Sequence, residues 1–283
     1  LLAEGSRHGA SLPHVASSVP DLLLVGAGHT HLHLIAQAGD LMTAGYRVRV
    51  LAPRHFDYSG LASATAAGSV PPDAGRIDVR ALARRHDVEL VEDTLSGLDL
   101  LGRCATTAGG ARLEYDVVSL NLGSVASAPG MEVADEVLRV KPLTDLATLD
   151  ARLAERPGAT VNVVGGGSTG IELAAHLAVR PGVGHVRLLE AGLEVGIDLP
   201  PRARRRMVRL LTRRGVEVRV DAAVRAVTVD DVRLDGGDAL PHDLALLATG
   251  LVAPLLVAEL GLGDAQAVRG LPGLRVARAA LRA

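Results

Sequence analysis

The stretch "VVGGGSTGIE" at residues 163–172 decides the fold of this chain. It continues an apolar, β-branched run that starts at residue 159, a pattern typical of a strand buried in a parallel sheet. Gly165, Gly167 and Gly170 have the spacing that joins such a strand to a helix and lets the pyrophosphate of a dinucleotide approach the backbone. The helix N-terminus then offers free N–H groups to the phosphates. The stretch predicts a dinucleotide-binding βαβ unit, with a glycine-rich turn that binds no ligand as the alternative.

The strand predicted after the helix of this unit ends in an acid. Residues 186–190 are mostly apolar and finish on Glu190. A carboxylate at this position accepts hydrogen bonds from the ribose hydroxyls of a dinucleotide and repels a 2′-phosphate. Glu190 therefore favours NADH over NADPH as the ligand.

The same unit occurs a second time, about 140 positions earlier in the chain. The segment "DLLLVGAGHTHLH" at residues 21–33 has an apolar strand, Gly26 and Gly28, and the start of a helical pattern that runs to residue 43. His31 replaces the third glycine, and no acid ends the next predicted strand, residues 47–51. This duplication predicts two dinucleotide-binding units in one chain, of which the first departs from the usual motif.

Three alternating histidines, His29, His31 and His33, raise the alternative of a metal site in the first unit. On a helix, residues two positions apart differ by about 200° around the axis, so the three side chains fan out. We therefore predict no metal site at these histidines.

Composition excludes several other classes of protein. The 283 residues suffice for two domains, and 48% hydrophobic with 22% charged residues is typical of a soluble globular protein. A net charge of −2 gives no general attraction to nucleic acid or to a membrane surface. The single cysteine, Cys104, excludes an internal disulfide and a CxxC redox pair.

We expect a cytoplasmic protein without an integral membrane segment. Residues 1–20 lack the basic start and apolar run of a secretory signal, and we interpret them as a loose leader. Residues 244–258 are the most apolar segment, but they are too short to span a bilayer and contain Gly250 and Pro254. They predict a buried strand followed by a loop.

Several phrases in residues 20–260 resemble the two-dinucleotide-binding flavoproteins of the pyridine nucleotide-disulfide oxidoreductase type. The resemblance is strongest to the NADH-dehydrogenase-like flavoprotein that occurs alone or fused to selenide, water dikinase. Type-II NADH dehydrogenases and sulfide:quinone oxidoreductases are similar more distantly. The phrases are "DLLLVGAGHTHLHLI" (21–35), "YSGLASATAAG" (58–68), "YDVVSLNLGS" (115–124), "VKPL" (140–143) and "VVGGGSTGIELA" (163–174).

This resemblance implies an α/β fold of the FAD/NAD(P)-binding, Rossmann-like type. It has two doubly wound domains, with the second inserted into the first. We expect the first part of the FAD-binding domain at residues 21–140 and the inserted NAD(P)H-binding domain at residues 141–245. Residues 246–283 are expected to return to the FAD-binding domain, apparently truncated.

The resemblance also implies the residues of two cofactor sites. Those at FAD are Gly26, Gly28, His29, Thr30 and His31 at the pyrophosphate, Pro53 and Arg54 near ribose and adenine, Ser59 and Gly60 on the flavin side, and Gly123 and Ser124 beneath the cofactor. Those at NADH are Gly165, Gly167, Ser168, Thr169, Gly170 and Glu190, with Gly250 near the nicotinamide.

Two further residues match positions close to the chemistry of such flavoproteins. Glu172 falls where related NADH dehydrogenases carry an acid near the flavin and nicotinamide, and Lys141 matches a "KP" step between the domains. Each has a structural alternative, since an acid in the first turns of a helix also favours the helix dipole and Lys141 can serve the domain connection alone.

The implied reaction is hydride transfer from NADH to FAD, followed by electron transfer to a small-molecule acceptor, for which a quinone is a candidate. A homodimer and a link to selenide, water dikinase rest on analogy alone, and no nucleic-acid partner is expected. These flavoproteins carry a Gly-Asp pair after the last strand of the FAD domain, and the closing stretch "GLRVARAALRA" (273–283) contains no such pair. A non-catalytic dinucleotide-binding remnant or regulatory module therefore stays open as the alternative.

Overall fold

The computed structural model describes residues 19–141 and 143–260, so most of the predicted leader and residues 261–283 of the predicted return lie outside it. The elements up to residue 126 are β1 (Asp21–Val25), α1 (His29–Ala36), α2 (Ala38–Thr43), β2 (Arg47–Leu51), β3 (His55–Asp57), a 3₁₀ turn (Ser59–Leu61), α3 (Ala62–Ala66), β4 (Arg76–Asp78), α4 (Val79–Arg85), β5 (Glu89–Val91), β6 (Leu95–Asp99), β7 (Cys104–Thr107), β8 (Arg112–Glu114), β9 (Val117–Leu120) and β10 (Val125–Ala126).

The elements that follow form the second half. They are β11 (Glu132–Val133), β12 (Leu138–Arg139), α5 (Thr144–Ala147), α6 (Leu149–Glu155), β13 (Ala159–Val164), α7 (Ser168–Leu177), β14 (Val183–Leu189), α8 (Pro201–Arg213), β15 (Glu217–Arg219), β16 (Val224–Val227), β17 (Asp231–Leu234), β18 (Ala239–Pro241), β19 (Leu244–Leu247), β20 (Leu251–Val252) and α9 (Leu255–Glu259).

The first parallel sheet has the strand order β5-β2-β1-β9. Leu22 and Leu24 of β1 face a core shared with α1, α2 and α4, whereas Leu23 and Val25 face a second core on the side of the antiparallel sheet β6-β7-β8. Successive side chains of a strand point to opposite faces, so a strand covered on both faces must be apolar throughout. This explains the uninterrupted run "LLLV" and confirms the predicted strand.

The second parallel sheet, in the order β12-β19-β13-β14-β15, repeats this arrangement. Val161 and Val163 of β13 face a core with α7, and Val164 faces a core with the small sheet β11-β16-β17-β18. The most apolar predicted segment supplies β19, whose four residues are all buried between β12 and β13. Among the described residues, no helix has the length and apolar character needed to cross a membrane.

The chain passes between the two halves along a short antiparallel ribbon of β10 and β20. Strands β11 and β12, which lie before the predicted domain start at residue 141, pair with β16 and β19 of the second half. Strand β19 also continues two residues past the predicted boundary at 245. Strand pairing therefore extends the second unit in both directions. Strands β11 and β12 could not be predicted, because strands of two residues leave no periodic signal in the sequence.

One predicted helix is interrupted. Residues 31–43 form α1 and α2 instead of a single helix, since Gln37 between them has φ −109° and ψ 21°, outside the helical region. Cys104 is buried in β7. Strands β16 and β17 form an antiparallel hairpin over residues 224–234.

Candidate functional site

The two glycine-rich turns occupy equivalent places in the two parallel sheets. Each turn begins with a glycine whose N–H donates to the last residue of the neighbouring strand on one side. The residue that follows the neighbouring strand on the other side donates to the last residue of the strand that leads into the turn. The bonds are Gly26 N to Leu51 O and Gly165 N to Leu189 O, both 2.8 Å, and Asn121 N to Val25 O and Ala248 N to Val164 O, both 2.8 Å. The duplication seen in the sequence is therefore a duplication of backbone geometry.

The three glycines of the second turn have different roles. Gly165 has φ +109°, and a Cβ there would lie 2.5 Å from the carbonyl oxygen of Ala248. A Cβ at Gly170 would overlap the carbonyl oxygen of Gly165, so helix α7 can pack against the turn only without a side chain. A Cβ at Gly167 would meet no described atom within 4 Å. The second turn thus leaves open space beside Gly167, where a pyrophosphate would approach the backbone.

A side chain covers the equivalent place in the first turn. A Cβ at Gly28 would overlap the side-chain oxygen of Asn121, and one at Gly26, which has φ +85°, would overlap the backbone oxygen of the same residue. Ala248 holds the position of Asn121 in the second turn. Asn121 belongs to no recognisable motif, and the signal that singles it out is an alignment of the two strand ends, residues 117–123 and 244–250.

His31 takes the place of the third glycine by binding the turn. Its side chain is buried, with Nδ1 2.7 Å from the carbonyl oxygen of Gly26 and Nε2 2.8 Å from Oγ of Ser119. Because a carbonyl oxygen only accepts, Nδ1 carries the proton and Nε2 of the neutral ring accepts from the hydroxyl. Burial lowers the pKa of His31, which favours this neutral form. The side chain of His31 points into the protein interior, and its backbone belongs to the first turn of α1.

The other two histidines of this segment are exposed, so the three side chains fan out as predicted. Within the part of the chain that the structure describes, no group of three His, Cys, Asp or Glu side chains could hold a metal ion.

Aromatic side chains line the rim of the first turn. The ring of His29, the first residue of α1, makes edge contacts with Phe56 at 5.2 Å and Tyr58 at 5.3 Å between centroids. A Cβ at Gly60 would overlap the ring of Tyr58. Tyr58 therefore connects Ser59 and Gly60, predicted on the flavin side, with the turn predicted at the pyrophosphate. Thr30 of this turn is exposed.

The strand next to the first turn carries no acid at the position of Glu190. Ala52 N donates to Val91 O in the same way that Glu190 N donates to Arg219 O, and Ala52 is buried. The next two residues, Pro53 and Arg54, are exposed. Two nitrogens of Arg54 lie 3.1 and 3.3 Å from one carboxylate oxygen of Asp78.

Glu190 is held by backbone groups of the second site. One carboxylate oxygen accepts from Gly166 N at 2.7 Å, and the other accepts from Gly192 N, also at 2.7 Å. The carboxylate is therefore fixed at the end of β14, beside the turn.

A second acid, Asp198, lies at the N-terminus of α7. Its Oδ2 accepts from the backbone N–H of Ser168 at 3.2 Å, and a hydrogen bond with the Ser168 hydroxyl is the main cause of the lowered pKa of Asp198. Thr169, next in the turn, is exposed. Asp198 could not be predicted from the sequence, because residues 191–200 form an irregular loop without periodicity.

The remaining predicted residues lie at the strand ends and between the two halves. Gly123 and Gly250 hold equivalent positions after β9 and β19 and have φ +75° and +110°, and Ser124, which follows the first of them, is half-buried. The hydroxyl of Ser63 in α3 donates to Glu172 Oε1 at 2.9 Å, so Glu172 contacts the first half. Lys141 is half-buried just after β12.

Residues 20–265 match the family model described as pyridine nucleotide-disulphide oxidoreductase. The chain belongs to this family. The match confirms the predicted resemblance at family level and the FAD/NAD(P)-binding, Rossmann-like α/β fold. The narrower resemblance to a flavoprotein linked with selenide, water dikinase stays a prediction.

Individual members of the pyridine nucleotide-disulphide oxidoreductase family resemble parts of the chain. Demethylphylloquinone reductase NdbB of Synechocystis sp. is 30% identical over 164 residues, which are 54% of this chain and 41% of that protein. The ferredoxin–NAD(+) reductase component of the biphenyl dioxygenase system of Paraburkholderia xenovorans is 30% identical over 249 residues, 82% of this chain and 58% of that protein. The chain spans about half the length of these relatives.

The fold of the family also appears in solved structures. The ferredoxin reductase for the CYP199A2 system from Rhodopseudomonas palustris superposes with a TM-score of 0.73 at 22% identity, covering 87% of this chain and 63% of the other. NDH2 from Plasmodium falciparum, solved with NADH, gives a TM-score of 0.70 at 15% identity, covering 85% of this chain and 57% of the other. At these identities the similarity establishes the fold.

Proposed function

We propose that this chain belongs to an NADH-oxidising flavoprotein, with FAD at the first turn and NADH at the second. The observation that carries the proposal is the duplicated turn, with matching backbone bonds around Gly26 and Gly165. Each turn is followed by a helix N-terminus, where phosphates are favoured. One chain thereby offers places for both an electron donor and an electron acceptor.

In the second site, the open space at Gly167 suits a pyrophosphate on the N–H groups of α7. Glu190 is at the end of β14, where it can accept from the ribose hydroxyls of NADH. Gly250, after β19, is assigned to the nicotinamide side. NADH is the expected ligand because a fixed carboxylate repels the 2′-phosphate of NADPH.

In the first site, the N-terminus of α1 suits the pyrophosphate of FAD. Its N-cap residue is Gly28, which has no side chain to accept a cap hydrogen bond. The aromatic rim of Phe56 and Tyr58 leads from this turn towards Ser59 and Gly60 on the proposed flavin side.

When both are bound, NADH supplies a hydride and FAD accepts it, so the protein contributes binding and orientation. Contacts between the two halves support this role. Glu172 of α7 accepts from Ser63, and the buried guanidinium of Arg180 donates to the carbonyl oxygens of Thr65 and Ala66 at the end of α3. These contacts fix α7, and with it the second turn, against the first half.

We propose a quinone as the final electron acceptor. One relative is named as a demethylphylloquinone reductase and another as a ferredoxin–NAD(+) reductase component, so a ferredoxin is the competing acceptor. A homodimer, a cytoplasmic location and a link with selenide, water dikinase stay predictions.

A second candidate function, NADH binding without turnover, is favoured by one observation. The first turn has Ala52 at the position of Glu190 and Asn121 at the position of Ala248, so its fit to a dinucleotide is less complete.

One experiment distinguishes the oxidoreductase from the module that only binds NADH. The purified protein is supplied with FAD, freed of unbound cofactor and mixed with NADH, while the visible absorption of the flavin is followed. Retained flavin that bleaches with NADH and is reoxidised by a soluble quinone supports the oxidoreductase. A colourless protein that still binds NADH contradicts it and supports the binding module. Reoxidation by ferredoxin but not by quinone would reassign only the acceptor.

A further inference from the structure

The loop between β14 and α8 folds back over the second turn. Gly196 N donates to the carbonyl oxygen of Gly166 at 2.7 Å, which fixes the middle of the loop against the turn. Two residues further on, the carboxylate of Asp198 reaches the first residue of α7 and accepts from Ser168 N at 3.2 Å. An acid from outside the helix thus occupies one of its N-terminal N–H groups.

The same N–H group belongs to the surface proposed for the dinucleotide. The first N–H groups of a helix have no partner inside the helix and lie at the positive end of its dipole, so they favour an anion. Under the proposed function that anion is the pyrophosphate of NADH. Two anions at one N–H group repel each other and compete for its hydrogen bond.

The first turn has no such acid. Neither α1 nor α7 has an acidic residue in its own first turn, and among the hydrogen bonds of the described residues only α7 has a carboxylate from another segment on its first N–H group. The side chain at the rim is that of His29, which packs on Phe56 and Tyr58. The internal acid therefore distinguishes the second turn from the first.

We propose that Asp198 competes with the phosphates of the dinucleotide for the Ser168 amide and so makes the second turn a weak, rapidly exchanging site. The inference rests on the proposed function, in which FAD stays bound while NADH arrives and NAD⁺ leaves at each turnover. Asp198 is exposed, so its carboxylate can turn into water when a phosphate arrives without being buried as an unpaired charge.

The test is the substitution Asp198→Asn in the full chain. Asparagine keeps the shape and one oxygen acceptor for Ser168 N, and it removes the charge. We expect the Kd for NADH to fall about tenfold at low salt, chiefly through slower dissociation. Added salt should reduce the difference in Kd between the wild type and Asp198→Asn, because it screens exposed charges. NADH fluorescence titration measures the Kd, and stopped-flow displacement measures the dissociation rate.

Asp235→Asn is the matched control, since Asp235 is also exposed and lies in the turn after β17. It should leave the Kd unchanged, and an equal fall in both variants would assign the effect to net charge and overturn the inference. An unchanged or weaker affinity in Asp198→Asn also overturns it, while binding by the wild type leaves the proposed NADH site standing. If neither the wild type nor Asp198→Asn binds NADH, the proposed function itself fails. Asp198→Ser, which also removes the charge, replaces the variant if Asp198→Asn does not fold.

Discussion

The two glycine-rich turns share one backbone frame but satisfy its third position in opposite ways. In the second turn, Gly170 has no side chain, and any Cβ would overlap the carbonyl oxygen of Gly165. In the first turn, His31 places a whole imidazole beside the equivalent carbonyl, that of Gly26, and binds it at 2.7 Å. In the second turn, the helix can approach because Gly170 has no side chain. In the first turn, it can approach because the side chain of His31 bonds the carbonyl oxygen of Gly26, which would otherwise obstruct it. The third glycine is therefore one solution to a packing problem, and its loss does not remove the fold.

The ligand-facing sides of the turns differ more than their backbones. Asn121 covers Gly28, where the second turn has Ala248 and open space, and Glu190 of the second site is matched by Ala52 in the first. Backbone bonds preserve the common fold, whereas these side chains make the surfaces of the two turns different.

The largest expected effect comes from Gly170→Ala. The new Cβ would collide with the backbone of Gly165, which cannot move without disrupting β13, so we expect a loss of about 3 kcal/mol in the free energy of unfolding. Gly167→Ala is the control, because a Cβ there meets no described atom and stability should change by at most about 0.5 kcal/mol. Urea denaturation measures both variants. Equal destabilisation would contradict the distinct roles assigned to the two glycines.

His31→Ala should destabilise the first turn by about 2 kcal/mol, because it removes two hydrogen bonds of a buried ring and leaves a cavity. His33→Ala, on the exposed side of the same helix, should have little effect. Thermal and urea unfolding measure the two variants. A silent His31→Ala would mean that the imidazole does not replace the third glycine.

A rescue experiment sharpens the comparison at the second position of the motif. Gly28→Ala should cost about 1–2 kcal/mol, since the Cβ overlaps the side chain of Asn121. Asn121→Ala in the same chain should restore most of that loss, because it removes the overlapping atoms. It should not rescue Gly26→Ala, whose Cβ meets the backbone oxygen of Asn121 at φ +85°. A double-mutant cycle measured by urea unfolding provides the coupling free energy, and a value near zero for the Gly28 pair would refute the contact.

The next effect in size comes from Glu190 of the second site, whose position is held by Ala52 in the first. Glu190→Arg should shift the ratio of NADPH to NADH affinity about tenfold towards NADPH, because it replaces a charge that repels the 2′-phosphate with one that attracts it. Glu194→Arg, an equal change of charge at an exposed position of the same loop, is the control. Fluorescence titrations with both dinucleotides measure the ratio. An unchanged ratio in Glu190→Arg would remove Glu190 from the ribose site.

The smallest expected effect is on the pH dependence of stability. Burial lowers the pKa of His31, and also that of His242, below the ordinary histidine value of about 6.5, so the unfolded chain binds more protons than the folded chain just below that pH. Stability should therefore fall as the pH drops below about 6.5. His31→Gln should reduce this slope, as seen in urea unfolding at a series of pH values. An identical slope would mean that His31 does not titrate differently in the two states.

The sequence predicted the parts of this fold in which local pattern and burial agree. Strands β1, β13 and β19 are mainly apolar because both of their faces are covered, and residues 163–172 identified the second turn. The strand pair that connects the two halves, β10 with β20, has two residues in each strand and is too short to leave a pattern. The resemblance assigned His31 to the pyrophosphate, whereas its ring binds the interior of the turn. Asn121 and Asp198 reach their turns through contacts that are distant in sequence, and no local motif marks them.

The most direct measurement is a crystal structure of the protein with both FAD and NADH. We predict the FAD pyrophosphate at the N-terminus of α1, beside Gly28, and the NADH pyrophosphate at the N-terminus of α7, beside Gly167, with the carboxylate of Asp198 displaced from Ser168. A structure in which either turn stays filled by protein side chains at saturating cofactor, or in which both cofactors bind elsewhere, would contradict the assignment of one dinucleotide to each turn.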